Sequence, residues 1–223
     1  MNAVDKLPIV ILISGSGSNL EAIIKESQNL NSAFFVSCVI SNKADAYGLT
    51  RAEQAGITTR TVDHKAFSSR EQFDQALVDT ITPFKPKLLI LAGFMRILTP
   101  VFIDHFQGKL INIHPSLLPD YRGLNTHARV IEDKKPLHGC SIHYVTAELD
   151  GGPVIAQATV PVLADDLPDS LAKRVQKQEH RLYPMVIRWL ASQQIELSDG
   201  QVKISSHVSD EIAQLGGETI RLC

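Results

Sequence analysis

The chain has 223 residues, of which 44% are hydrophobic and 21% charged, with 22 Lys plus Arg against 24 Asp plus Glu. This balance offers no positive excess for a nucleic acid or an anionic membrane. No apolar run approaches the roughly 20 residues of a membrane helix, and the N-terminus lacks the basic and apolar regions of a signal peptide. Cys38, Cys140 and Cys223 lie too far apart for a metal-ligand spacing or a disulfide framework. A cytoplasmic globular enzyme is the expectation, with no electrostatic case for a nucleic-acid or membrane partner; the oligomeric state is left open.

In chain order, Leu7 to Ser14 is a continuous apolar run, as in a strand covered on both faces. Gly15-Ser16-Gly17-Ser18-Asn19 follows, then Leu20, Ile23 and Ile24 at helical spacing. Phe34 to Ile40 reads as a second strand, Ala44 to Ala55 as a helix stopped by Gly56, and Thr58 to Val62 as a third strand. Ser69 with Gln72 forms a capping-box pattern opening a helix to about Thr82. Lys87 to Ala92 is a fourth strand, Thr99-Pro100 an N-cap with proline at the first helical position, and Leu110 to His114 a fifth strand. Ser116 to Gly123 reads as a loop and Asn125 to Asp133 as a short helix. Cys140 to Val145 and Val154 to Val160 read as strands, and Pro168 to Ala191 as a long amphipathic helix. Asp199-Gly200 marks a small hairpin, and the rest of the tail is weakly patterned and expected to be loosely held.

Alternating strands and helices predict a doubly wound α/β fold with a mostly parallel sheet: a Rossmann-like N-terminal half and a C-terminal part adding further strands and a long helix. The expected organisation is one domain over 1–223, divided into 1–109, 110–192 and a tail at 193–223.

Two stretches carry chemistry. Gly15-x-Gly17 begins like a dinucleotide fingerprint, but Leu20 stands where the third glycine would fall, and the second strand ends in Ser41-Asn42 without a ribose-binding acid. This argues against a dinucleotide, while the backbone of Gly17, Ser18 and Asn19 at a helix N-terminus still suits one phosphate. Further on, Asn112 and His114 share one face of a strand that Pro115 must stop. Asp150 precedes Gly151-Gly152, which permits a sharp turn. Amide, imidazole and carboxylate suit an acyl-type transfer, although spacing alone does not bring Asp150 to His114.

The segments Ile-Ser-Gly-Ser-Gly-Ser-Asn-Leu, Leu-Ala-Gly-Phe-Met-Arg-Ile-Leu, Asn-Ile-His-Pro-Ser-Leu-Leu-Pro and Glu-Leu-Asp-Gly-Gly-Pro-Val-Ile, in order between about Ile9 and Trp189, resemble the phosphoribosylglycinamide formyltransferases of the formyltransferase superfamily. The resemblance implies formyl transfer from 10-formyltetrahydrofolate to the glycinamide amine in purine synthesis, without a metal. It implies Asn112, His114 and Asp150 as the catalytic set, Gly17, Ser18 and Asn19 as the phosphate loop, and Glu179 as a substrate-binding carboxylate. It also implies Arg70, Met95, Arg96, Ile97, Leu98 and Asn112 as folate-binding residues. His143 matches a recurrent family position; His127 is unassigned. Asp120, Arg122 and Asn125 depart from the family's usual loop residues, and Arg122 is expected to assist phosphate binding. A tRNA-directed sibling normally carries a further RNA-binding domain and a deformylase sibling an N-terminal regulatory one. A non-catalytic folate- or nucleotide-binding module is the rival from another class.

Overall fold

The computed structural model describes residues 6–214 and 219–223; the leaderless reading of the N-terminus falls largely on residues 1–5, outside the described residues. The fold is α/β, on a mostly parallel mixed sheet of eight strands among the described residues. The chain forms two compact units, with the boundary between Asn112 and Ile113.

In the first unit, β1 (Leu7–Ile13) is the buried strand its apolar run predicts, with Ile9 to Ile13 wholly inaccessible. α1 (Ser18–Ser27) turns Leu20, Ile23 and Ile24 inward at helical spacing. Then come β2 (Phe34–Ser41), α2 (Tyr47–Gln54), β3 (Thr59–Thr61), α3 (Arg70–Ile81), β4 (Leu88–Leu91), α4 (Pro100–His105) and β5 (Leu110–His114), whose last two residues fall in the second unit. β1 lies parallel between β2 and β4, with Ile11 opposite Val39 on one side and Ile90 on the other. β3 extends the β2 edge and β5 the β4 edge, also in parallel. Strand order therefore reverses at β1 and β4, the point where open α/β sheets present loops to ligands.

The second unit contains α5 (Thr126–Glu132), β6 (Leu137–Tyr144), β7 (Val154–Pro161), α6 (Pro168–Ala191), β8 (Ile195–Ser198), β9 (Gln201–Ile204), α7 (Ser206–Gln214) and β10 (Ile220–Leu222). β6 and β7 are antiparallel and in contact through most of their lengths. β8 and β9 form the expected hairpin, with Asp199 and Gly200 both at positive φ. No helix among the described residues is long and apolar enough to cross a membrane.

Three expectations need adjustment. β6 starts at Leu137, three residues early, because its pairing with β7 carries the strand through Gly139, where a Cβ would lie 1.9 Å from the Ala158 carbonyl oxygen. Thr99 occupies the N-cap of α4 as expected, but its side chain makes no cap. The tail is ordered further than its composition suggests. α7 buries Val208 and Ile212, and β10 runs antiparallel to β7 with Ile220 opposite Ala158. A three-residue strand is too short to show alternation; its ladder partner defines it.

α6 buries Leu171, Val175, Glu179, Leu182 and Val186 along one face. Its entry is organised by Asp166, whose carboxylate accepts from Arg174 at 2.7 and 2.9 Å, from Ser170 Oγ at 2.8 Å and from the Leu163 N–H at 2.8 Å. The Arg174 guanidinium foremost holds the Asp166 carboxyl well below the usual carboxylate range. A depressed carboxyl stabilises the fold fully above its unfolded value near pH 4 and loses that contribution as pH falls. Asp166→Ala is expected to lower unfolding free energy at pH 7 by on the order of 1–2 kcal/mol, with the deficit shrinking below pH 4 in urea titrations.

Candidate active site

β5 ends at His114, as Pro115 requires, and leaves a buried imidazole at the strand mouth. Its Nδ1 lies 3.5 Å from Asp150 Oδ2, with the two side chains only 7% and 9% exposed. Its Nε2 lies 2.9 Å from the Tyr121 carbonyl oxygen, to which it donates. The approach of Asp150 to His114, which spacing alone did not give, is thus supplied by the fold. Asn112 stands two residues earlier on the same strand, half-buried.

Asp150 reaches this position through a tight turn. Its own φ is +48°, and a Cβ on Gly152 would lie 1.9 Å from the Tyr144 carbonyl oxygen. Asp150 Oδ2 accepts from the Gly123 N–H at 2.9 Å, and Oδ1 lies 3.8 Å from His143 Nε2. His143 is fixed by its Nδ1, 2.9 Å from the Tyr144 carbonyl oxygen, and burial pushes its imidazole down, toward the neutral form. Sequence reasoning left His143 without a role; its place at the end of β6 puts it against the same carboxylate.

The segment after His114 is tethered in several places. The Ser116 N–H donates to the His114 carbonyl and Ser116 Oγ to the Asp120 carbonyl. The Tyr121 hydroxyl donates to Asp133 at 2.6 Å, while the Arg129 guanidinium lies over the Tyr121 ring and donates to the Arg122 carbonyl. The Arg122 guanidinium, expected to assist a phosphate, is paired with the Glu148 carboxylate. This pair ties the loop to the turn that carries Asp150. His127, which the sequence left unassigned, lies with its Nδ1 3.0 Å from His138 Nε2, so one ring donates to the other.

Within the first unit, Gly17 is the left-handed N-cap of α1, at φ +72°. A Cβ there would meet Gly48 Cα at 2.6 Å. The loop backbone is held from α2: the Gly48 N–H donates to the Gly15 carbonyl at 3.0 Å and Arg51 Nε to the Ser16 carbonyl at 3.0 Å. Ser18 and Asn19 open α1, where the helix dipole favours an anion. Met95, Arg96, Ile97 and Leu98 form the segment before α4, with Met95 71% and Ile97 56% exposed, although both are large and apolar. This segment is pinned at both ends. The Met95 N–H donates to Ser14 Oγ at 2.8 Å and the Thr99 N–H to Asp74 Oδ2 at 2.6 Å. Ser14 in turn donates to Asn42 Oδ1 at 2.6 Å, and the Arg96 guanidinium lies over the Phe73 ring. Ser14, Gly48, Arg51 and Asp74 were not singled out from the sequence, because their partners lie 25 to 81 residues away and no local spacing marks them. Arg70 is exposed at the start of α3, one helical turn before Asp74.

In the second unit Glu179 lies buried on α6, not on a solvated face, and its charge bears on Cys140 and Tyr183. Among the described residues no group of three or more His, Cys, Asp and Glu side chains is placed to hold a metal ion.

An imidazole held against a buried carboxylate at the end of an α/β strand is equipment for group transfer with proton movement. The chain belongs to the formyl transferase family, whose model matches residues 7–187. It is 53% identical over 191 residues to the phosphoribosylglycinamide formyltransferase of Escherichia coli K12, covering 86% of this chain and 90% of that one. Its structure is similar to that of the phosphoribosylglycinamide formyltransferase from Coxiella burnetii, with a TM-score of 0.86, 48% identity and coverage of 90% and 94% of the two chains. A glycinamide ribonucleotide transformylase from Symbiobacterium toebii gives a TM-score of 0.87 at 40% identity with the same coverage. The chain is accordingly a formyl-transferring enzyme.

The paired imidazoles make a prediction about acid. Burial pushes both down, His138 to about 4 from an ordinary 6.5. A base that is harder to protonate when folded stabilises the fold fully above its unfolded value and loses that contribution as pH falls. Unfolding free energy is expected to drop between pH 6.5 and pH 4. His138→Asn should flatten that part of the profile in urea titrations, even if the variant is less stable at pH 7.

Proposed function

We propose that this enzyme transfers the formyl group of 10-formyltetrahydrofolate to the amine of 5′-phosphoribosylglycinamide, with Asn112, His114 and Asp150 as its catalytic residues. The observation that carries the residue assignment is the buried His114–Asp150 pair at the end of β5. The substrate assignment is supported by the 53% identity to a phosphoribosylglycinamide formyltransferase.

In this reading the glycinamide nitrogen attacks the formyl carbon. A C–N bond forms and the carbonyl electron pair moves to oxygen, giving a tetrahedral oxyanion. The Asn112 side-chain amide donates to that oxygen, where charge develops. His114 supplies the proton that N10 of the folate takes up as its bond to the formyl carbon breaks, and the attacking nitrogen loses one proton in exchange. In this reading a water relays the proton between the His114 imidazole and the folate nitrogen. Asp150 stabilises the charged imidazolium by proximity, and His143, kept neutral by burial, leaves the carboxylate its charge.

The other assignments have separate supports. Gly17, Ser18 and Asn19 would hold the substrate phosphate on the α1 N-terminus, in a loop whose backbone is fixed by Gly48 and Arg51. Glu179 would bind the substrate through its carboxylate. Met95, Arg96, Ile97 and Leu98 would line the folate site, with exposed Met95 and Ile97 side chains and a buried Leu98 on a doubly pinned backbone, and with Arg70 contacting the folate. The reaction asks for no metal, and the enzyme would work in the cytoplasm.

The test is an absorbance assay for deformylated folate with the purified protein. His114→Ala and Asp150→Asn are each expected to lower kcat by about 10²–10⁴-fold, and Asn112→Ala by about 10²–10³-fold. Full activity in either of the first two variants would remove the catalytic assignment.

A further inference from the structure

The tail beyond α6 lies outside the matched family residues, yet its last strand reaches the polar core behind the His114 loop. Arg221 on β10 donates through Nε to Gln157 Oε1 at 2.8 Å, and its Nη2 donates to the same oxygen. Gln157 is wholly buried on β7. Its Nε2 donates in the other direction, to the Leu118 carbonyl at 2.8 Å and to Ser141 Oγ at 2.8 Å. Ser141 Oγ donates to the Ser116 carbonyl at 2.6 Å and accepts from the Leu118 N–H at 2.9 Å. These bonds fix the backbone of residues 116–118, two to four positions after His114. The loop then turns back so that the Tyr121 carbonyl meets His114 Nε2.

Arg221 sets the polarity of this network from one end and the Leu118 carbonyl from the other. A guanidinium only donates, so the amide of Gln157 must present its oxygen to β10 and its NH2 to Leu118. Without that donor the buried oxygen loses its partner, and the amide is oriented from the Leu118 side alone. We infer that the C-terminal strand is a brace for the catalytic loop, and that Arg221 is a positioning residue acting through Gln157 on the segment that holds His114. As it concerns turnover, the inference rests on the formyl-transfer reading above.

The experiment compares the full chain with Arg221→Ala, Arg221→Lys and Gln157→Glu, by formyl-transfer kinetics well below each variant's Tm and by hydrogen exchange at the Leu118 amide. Arg221→Ala and Gln157→Glu are expected to lower kcat about tenfold with little change in either KM, and to raise exchange at Leu118. Arg221→Lys, which keeps a donor, should recover most of both. Gln157→Glu keeps a partner for Arg221 but cannot donate to Leu118, so it separates the brace from mere attachment of the tail. Wild-type kinetics in Arg221→Ala, or equal losses in Arg221→Ala and Arg221→Lys, would overturn the inference. If the wild-type chain transfers no formyl group, the substrate reading fails and exchange alone decides: faster exchange at Leu118 in Arg221→Ala supports the brace, and unchanged exchange removes it.

Discussion

A carboxylate taken out of water must find partners, and the second unit is arranged around that demand at Asp150. A buried, unpaired charge costs several kcal/mol, of order the whole stability margin of a domain. Asp150 accepts from the Gly123 N–H in the loop between β5 and α5 and faces the His114 imidazole at the end of β5, while the neutral His143 ring lies 3.8 Å from its other oxygen. Three separate segments therefore converge on one side chain. The Gly151-Gly152 turn is what lets that side chain arrive, since a Cβ at Gly152 would collide with the Tyr144 carbonyl. The contact that answers the carboxylate's demand also supplies the imidazole on which the proposed proton transfer rests.

The first unit uses polar side chains for a related purpose, to hold backbone in place. Ser14 and Asp74 each accept from one end of the Met95–Thr99 segment. Gly48 and Arg51 fix the carbonyls of Gly15 and Ser16. Segments pinned in this way lose little entropy when a ligand arrives, which is what pre-organisation means for binding. Large apolar side chains such as Met95 and Ile97 can then stand exposed without the backbone collapsing over them.

Much of this was legible in the sequence, and the pattern of what was not is physical. Local rules worked where local forces decide. The Leu7–Ser14 run is a buried strand, Ser69 caps α3 by accepting from Gln72, Pro115 ends β5, and Asp199-Gly200 turns the hairpin. The Asn112-x-His114 spacing showed a shared strand face, and the Asp150 turn showed a carboxylate near glycines; only the fold could bring Asp150 within 3.5 Å of His114. Long-range polar contacts left no trace in spacing: Asp74 looked like any helical acid, Gln157 like any strand residue, and Arg122 like a free cation beside the site. Thr99 shows the limit of a cap pattern, because its N–H is held by Asp74 and its side chain makes no cap. The tail misled for the opposite reason, since β10 exists by pairing with β7 and not by any periodicity of its own.

The most direct test of the account follows the carbon. Donor folate labelled with ¹³C in its formyl group would be incubated with the protein and 5′-phosphoribosylglycinamide, and the products read by NMR. The account predicts that the label appears on the glycinamide nitrogen, with no labelled formate released when the amine is omitted. Labelled formate appearing at the same rate with and without the amine would contradict it, because water and not the amine would then be the acceptor.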